Sequence, residues 1–266
     1  MTDTVLRIDR DGSVVTLTID DPATRNGLTP ALTRSLVQAC ADIDADLGVK
    51  CVILTGAGDV FCAGGNIKAM YARTGHFAGN AAEIRRSYQS GVQTIARALY
   101  ALDAPVIAAV NGAAIGAGLD FATMCPIRIA SDNASFAESF IKLGLTSAAG
   151  GAWFLPRAIG ASAAAEMTLT GDTIDAPAAL ALGLVSRVTT RDDLLPQARA
   201  LAERIARHPA HSIRLNTRLL RESARLDLSA ALEIAAGMQA VVQQTEDQFE
   251  AVAAVVEKRK PAFKGR

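Results

Sequence analysis

Residues 107–120 read Ile107-Ala108-Ala109-Val110-Asn111-Gly112-Ala113-Ala114-Ile115-Gly116-Ala117-Gly118-Leu119-Asp120. The run from Pro105 to Val110 is continuous rather than alternating, as expected of a short strand buried on both faces of a parallel sheet. It stops at a turn signal, Asn111-Gly112. Small residues continue to Gly118, and a helix is expected to open at Gly116 or Ala117. A chain that leaves a buried strand through such residues lets a ligand approach its backbone. The free N–H groups and positive dipole end of the helix would favour an anion.

A second segment repeats the pattern. Cys51–Leu54 is another short apolar run, Thr55-Gly56 ends it, and a glycine-rich loop leads to Phe61-Cys62-Ala63-Gly64-Gly65-Asn66-Ile67-Lys68. Two N–H groups converging from separate loops make an oxyanion hole. Other glycine-loop chemistries fail on detail. Thr55-Gly56-Ala57-Gly58-Asp59 lacks the third glycine of a dinucleotide fingerprint and leads into Val60-Phe61. No Gly-Lys-Ser/Thr ending marks a Walker loop and no G-x-S-x-G marks a hydrolase elbow. The three histidines are His76, His208 and His211.

Outward from these loops, strands and helices alternate to about residue 190. Leu6–Asp9 and Val14–Asp20 flank a hairpin turn at Asp11-Gly12. Pro30–Ala45 is a helix with Thr29 as N-cap. Ala81–Leu102 reads as one long helix, Ile127–Ala130 as a strand, 178–182 as a helix and Leu184–Val188 as a strand. Arg73–Arg86 is polar and glycine-containing, a flap or a surface loop. Beyond Asp192 only helices are expected. The pattern predicts an α/β core over 1–195 and a helical region over 196–266.

The 27 basic and 27 acidic side chains balance, which argues against a nucleic-acid partner. No apolar run reaches the ~20 residues of a membrane helix, and Met1–Arg10 lacks the apolar core of a signal peptide. Cys40, Cys51, Cys62 and Cys125 have neither zinc-site nor disulfide-framework spacing, so a cytoplasmic protein without a metal site is expected.

Together the two loop segments resemble the crotonase family, the enoyl-CoA hydratase/isomerase superfamily. Arg25-Asn26-Gly27-Leu28, Leu169-Thr170-Gly171-Asp172, Leu182-Gly183-Leu184-Val185 and Val256-Glu257-Lys258-Arg259-Lys260 match it as well. The resemblance runs over residues 5–264. It implies a spiral of β-β-α units and a helical C-terminal trimerisation region, hence a homotrimer or homohexamer. It implies an acyl-CoA thioester substrate and no cofactor, coenzyme A being part of the substrate.

By position in that family, the Ala63 and Ala117 N–H groups match the donors to the thioester oxygen. Gly64, Gly65, Asn66, Ile67, Met70 and Gly116 match substrate-binding positions. Arg25 lies near the CoA, and Lys258 matches a tail contact to a neighbouring subunit's CoA. Asp120 matches the first of two hydratase glutamates, one methylene shorter. The second glutamate's position holds Phe140, a candidate pocket wall. The aspartate that some relatives carry before the paired glycines is Ala149 here. Glu138 is the candidate second acid; if its loop is extended, 138 and 140 point to one side. Hydration of a trans-2-enoyl-CoA to a 3-hydroxyacyl-CoA stands first as the family's commonest activity. The alternatives are double-bond isomerisation, with Asp120 as single base, and non-catalytic acyl-CoA binding.

Overall fold

The computed structural model describes residues 5–266, so residues 1–4 of the segment inspected for a signal peptide lie outside it. Ten strands follow in chain order: β1 (Leu6–Asp11), β2 (Val14–Ile19), β3 (Cys51–Gly56), β4 (Val60–Cys62), β5 (Val106–Val110), β6 (Ala113–Ile115), β7 (Ile127–Ser131), β8 (Ser135–Ala137), β9 (Thr173–Asp175) and β10 (Arg187–Thr189). They form a six-stranded sheet ordered β1-β2-β3-β5-β7-β10 and a four-stranded sheet ordered β4-β6-β8-β9. The successive pairs β3/β4, β5/β6 and β7/β8 each give one strand to either sheet before a helix returns the chain. This alternation is the β-β-α spiral.

The larger sheet is parallel except for the hairpin β1–β2, whose turn uses Gly12 at φ +59°. β3 and β5 are buried along their whole length, as their unbroken apolar runs require. The helix Pro30–Ala45 starts where Thr29 accepts the Leu32 N–H at 3.1 Å, and it buries Leu32, Leu36, Ala39, Cys40 and Ile43. Glycines bring successive spiral turns together at backbone distance. A Cβ on Gly112 would overlap the Asp59 carbonyl, and one on Gly118 would overlap that of Cys62.

Three expectations are corrected. The long helix over Ala81–Leu102 is two helices, Ala81–Ser90 and Val92–Ala101. They break at Gly91 because the second turns inward to bury Val92, Ile95 and Leu99, while the first buries nothing. The last strand begins at Arg187, because the N–H groups of Leu184 and Val185 donate to the Ala179 carbonyl and finish the preceding helix instead. The division at residue 195 falls inside the helix Arg191–Ala206. Leu194, Ala198 and Ala202 of that helix pack against Val14, Ile53, Ile107, Ala109 and Ile129, so it belongs to the α/β core.

The helices Ala210–Ser223, Leu228–Val242 and Glu246–Val256 follow. Arginines dock the first of them. Arg214 is buried, and its guanidinium donates to the carbonyls of Ile43 (2.9 Å), Asp44 (3.1 Å), Asp46 (2.6 Å) and Val49 (3.2 Å). Burial alone would raise the Asp103 pKa, but hydrogen bonds from Arg218 and Arg221 hold it below the usual carboxylate range.

Arg214→Ala strands several buried carbonyls and is expected to cost about 3 kcal/mol in urea unfolding. Arg214→Lys should recover only a fraction of it, since one ammonium cannot serve four carbonyls in a planar fork.

Candidate active site

β4 and β6 are parallel neighbours, pairing Val60 with Ala113 and Cys62 with Ala114. Their loops therefore leave the small sheet side by side. Gly64, at φ +82°, has no room for a side chain: a Cβ would overlap the Ile115 carbonyl and stand 3.5 Å from the Ala117 nitrogen. The two loops thus touch at backbone level. Asn26 holds the first loop from behind. It is buried, accepts the Asp21 N–H at 2.9 Å, and donates to the carbonyls of Ala57 (3.0 Å) and Val60 (2.7 Å).

This arrangement changes one donor assignment. The Ala63 N–H donates to the Arg25 carbonyl at 3.2 Å, so it is engaged within the fold. The Gly64 carbonyl accepts the Leu28 N–H at 2.8 Å. The N–H groups of Gly65 and Ala117 have no protein acceptor among the described residues. Both residues line one cavity of about 40 Å³, together with Met70, Phe140 and Ala149. Of the first loop's N–H groups without a protein acceptor among the described residues, that of Gly65 belongs to a residue lining this cavity. A sequence signal existed in Asn66: its side chain accepts the Ala69 N–H at 3.0 Å and caps the helix Ile67–Tyr71, leaving Gly65 just outside the helix.

The second loop opens the helix Ala117–Met124, whose residues are all buried. Gly116 takes φ +54°, and its N–H donates to Ala137 at 2.7 Å. Asp120 lies on this helix, fully buried. Glu138, also fully buried, reaches the same place from the end of β8. A methyl group on Gly151 would overlap Asp120 Oδ1 and stand 2.5 Å from Glu138 Oε1 and 2.7 Å from Ser147 Oγ. The fold thus brings both carboxyl groups and Ser147 around a residue without a side chain. None of the four carboxyl oxygens has a well-formed hydrogen bond among the described residues.

Burial, reinforced by the facing Glu138 charge, pushes the Asp120 pKa well above the carboxylate range. Burial also raises Glu138, with Ser147 and Asp120 opposing the shift. Two like charges so close cannot both ionise cheaply, so the pair holds a proton between them.

Glu138 and Phe140 do not share a side, because the loop is not extended there. β8 ends at Ala137 and a 3₁₀ turn begins at Ser139, which sends Glu138 inward and the Phe140 ring onto Gly116. Phe140 lines the cavity as expected of a wall residue, and Met70 lines it too. Neither carboxyl group lines it; Ala117 and Phe140, each within three residues of one of them, form that part of the wall. The Arg25 side chain and Lys258 are exposed and do not line the cavity. Ile67 is exposed and lines a larger neighbouring groove. Ser147 and Gly151 were not singled out by the sequence, since neither type carries chemistry until the chain packs around it.

The paired-strand spiral is that of a crotonase-fold enzyme. The chain belongs to the enoyl-CoA hydratase/isomerase family, whose model matches residues 9–266. It is 36% identical over 266 residues to a probable enoyl-CoA hydratase of Mycobacterium bovis, covering 100% of both chains. It is 34% identical over 261 residues to the 2,3-dehydroadipyl-CoA hydratase of Escherichia coli, covering 98% of this chain and 99% of that one. The crystal structure of an enoyl-CoA hydratase from Bacillus anthracis superposes with a TM-score of 0.92 at 31% identity, covering 98% and 100% of the two chains.

The acid pair predicts a pH signature in stability. Unfolded, both groups lose their protons near pH 4; folded, their raised pKa values retain a proton to higher pH. Their contribution is thus full below about pH 4 and is lost as pH rises through the raised values. Asp120→Asn removes part of this loss. Its melting temperature relative to wild type should climb between pH 5 and pH 8, by about 3 °C for each kcal/mol relieved. Thermal melts across that range measure it, and a constant difference would contradict the shared burial.

Proposed function

We propose that the protein hydrates a trans-2-enoyl-CoA to a 3-hydroxyacyl-CoA. The carrying observation is the convergence of Asp120 and Glu138 beside the helix that presents the Ala117 N–H. Full-length similarity to relatives named as hydratases supports the same reaction. The thioester oxygen accepts from the Gly65 and Ala117 N–H groups. Water adds to C3, the π pair of the double bond moves through C2 onto the thioester oxygen, and an enolate forms. Donors already in place gain most where that charge develops, so they stabilise the transition state more than the substrate.

The proton movements divide between the two acids. Glu138 in its ionised form takes a proton as the water oxygen bonds to C3. Asp120 in its protonated form delivers its proton to C2 as the electron pair returns from oxygen. A proton then passes from Glu138 to Asp120 and restores the starting state. Glu138 thereby does from a neighbouring position what the second hydratase glutamate does where this chain has Phe140. The Phe140 ring must swing off Gly116 to admit the enoyl group, because 40 Å³ holds little more than a water molecule.

Coenzyme A enters as part of the substrate, with Arg25 and Lys258 as its phosphate contacts. Assembly as a trimer, or two stacked trimers, is part of this reading, and the C-terminal helices support association. Leu228–Val242 buries none of its residues within the chain, and Leu232, Phe249, Val252 and Val255 stay exposed. Apolar surface of that extent marks an association face. Four unpaired buried cysteines among the described residues suit a reducing cytoplasm.

Loss of the conjugated enoyl-thioester absorbance reports hydration directly. Asp120→Asn and Glu138→Gln should each lower turnover by about 10²–10⁴-fold while acyl-CoA binding persists. Wild-type rates in both variants would remove the pair from the mechanism.

A further inference from the structure

The cavity that receives the thioester is not walled by apolar groups alone. His76 and Tyr88 line it as well. His76 Nε2 is buried without a hydrogen-bond partner among the described residues, although the groups around it are mostly apolar. A buried nitrogen left unpaired in a folded protein calls for a partner that the chain does not supply. The imidazole fits because residue 91 is glycine: a Cβ there would stand 2.9 Å from His76 Cε1 and 3.2 Å from Nδ1. The break between the two helices at Gly91 therefore also seats this ring. Burial raises the Tyr88 phenol, which remains an O–H donor.

The cavity continues into a larger open groove of about 790 Å³, the two sharing Met70, Phe77, Tyr88 and Leu145. Arg73 and Arg85 line the groove and no carboxylate does. Both are exposed at the groove, and among the described residues neither has an ion-pair partner. A chain leading away from the thioester thus passes two hydrogen-bonding side chains and arrives at two unpaired guanidinium groups. A hydrocarbon end would leave His76 unsatisfied and give the two guanidinium groups no partner but solvent.

We propose that the preferred substrate is an enoyl-CoA whose acyl chain ends in a carboxylate, with His76 and Tyr88 along the chain and Arg73 and Arg85 at its anionic end. This rests on the acyl-CoA role of the same cavity. A guanidinium fork matches a planar carboxylate with two parallel hydrogen bonds. A CoA phosphate offers the same anionic chemistry, and the experiment separates the two sources.

Calorimetric titration with three unreactive ligands, adipyl-CoA, hexanoyl-CoA and free CoA, makes the comparison without turnover. Wild type should bind adipyl-CoA about 10–100-fold more tightly than hexanoyl-CoA. The double variant Arg73→Gln/Arg85→Gln, folded by its melting curve, should bring that ratio close to one. Equal affinity of wild type for adipyl- and hexanoyl-CoA overturns the proposal. So does a double variant that weakens all three ligands alike, which assigns the arginines to a CoA phosphate. Hydration of 2-hexenoyl-CoA by wild type, followed separately by absorbance, tests the reaction itself. A failed end-group preference and a failed hydration assignment are therefore distinct results.

Discussion

The site depends on backbone-to-backbone contact between two loops. Gly64 lies against the Ile115 carbonyl and within reach of the Ala117 nitrogen, where no Cβ could stand. The parallel pairing of β4 with β6 sets the register of that contact. Main-chain donors have a fixed position only if the backbone is fixed, and here it is pinned on both sides. Asn26 and the Arg25 and Leu28 backbone hold the first loop, and the Gly116-to-Ala137 hydrogen bond holds the second. The Ala63 N–H and the Gly64 carbonyl are engaged in the fold, while the Gly65 N–H has no protein acceptor among the described residues. Fixed main-chain donors of this kind are what a preorganised site requires.

Against this rigid frame the acid pair carries a cost. Two buried carboxyl groups facing each other without good hydrogen bonds destabilise the fold unless protons neutralise them. Gly151 lets them meet and Ser147 moderates Glu138. The helix Ala117–Met124 that carries Asp120 is buried at every position, and that burial keeps the Asp120 pKa high. A buried, proton-sharing acid pair of this kind is where perturbed pKa values and function tend to coincide.

The C-terminal helices are held by different physics. Arg214 satisfies carbonyls that end the helix Pro30–Ala45 and the turn after it, and Asp103 receives two arginines. These contacts orient the helical region by directional hydrogen bonds rather than by apolar burial. The apolar faces of Leu228–Val242 and Glu246–Val256 are left outward.

By itself, the sequence determined the apolar runs of the larger sheet, the N-cap at Thr29 and the two glycine loops, because these rest on local periodicity and turn chemistry, and its motifs carried the family resemblance; the four short strands of the smaller sheet left no such run. It also singled out Asp120 from its register in the loop motif. The kink at Gly91 was hidden because helical periodicity continues across it. Only the tertiary structure decided that the Ala63 amide is engaged, since that depends on which carbonyl, Arg25's, happens to face it. It likewise decided that Glu138 turns inward to Asp120 while Phe140 faces the cavity. An assumed extended strand would place both on one side, but a 3₁₀ turn at Ser139 separates them. Pairings across the chain are set by packing, where a single turn of backbone redirects a side chain, and no local pattern encodes that.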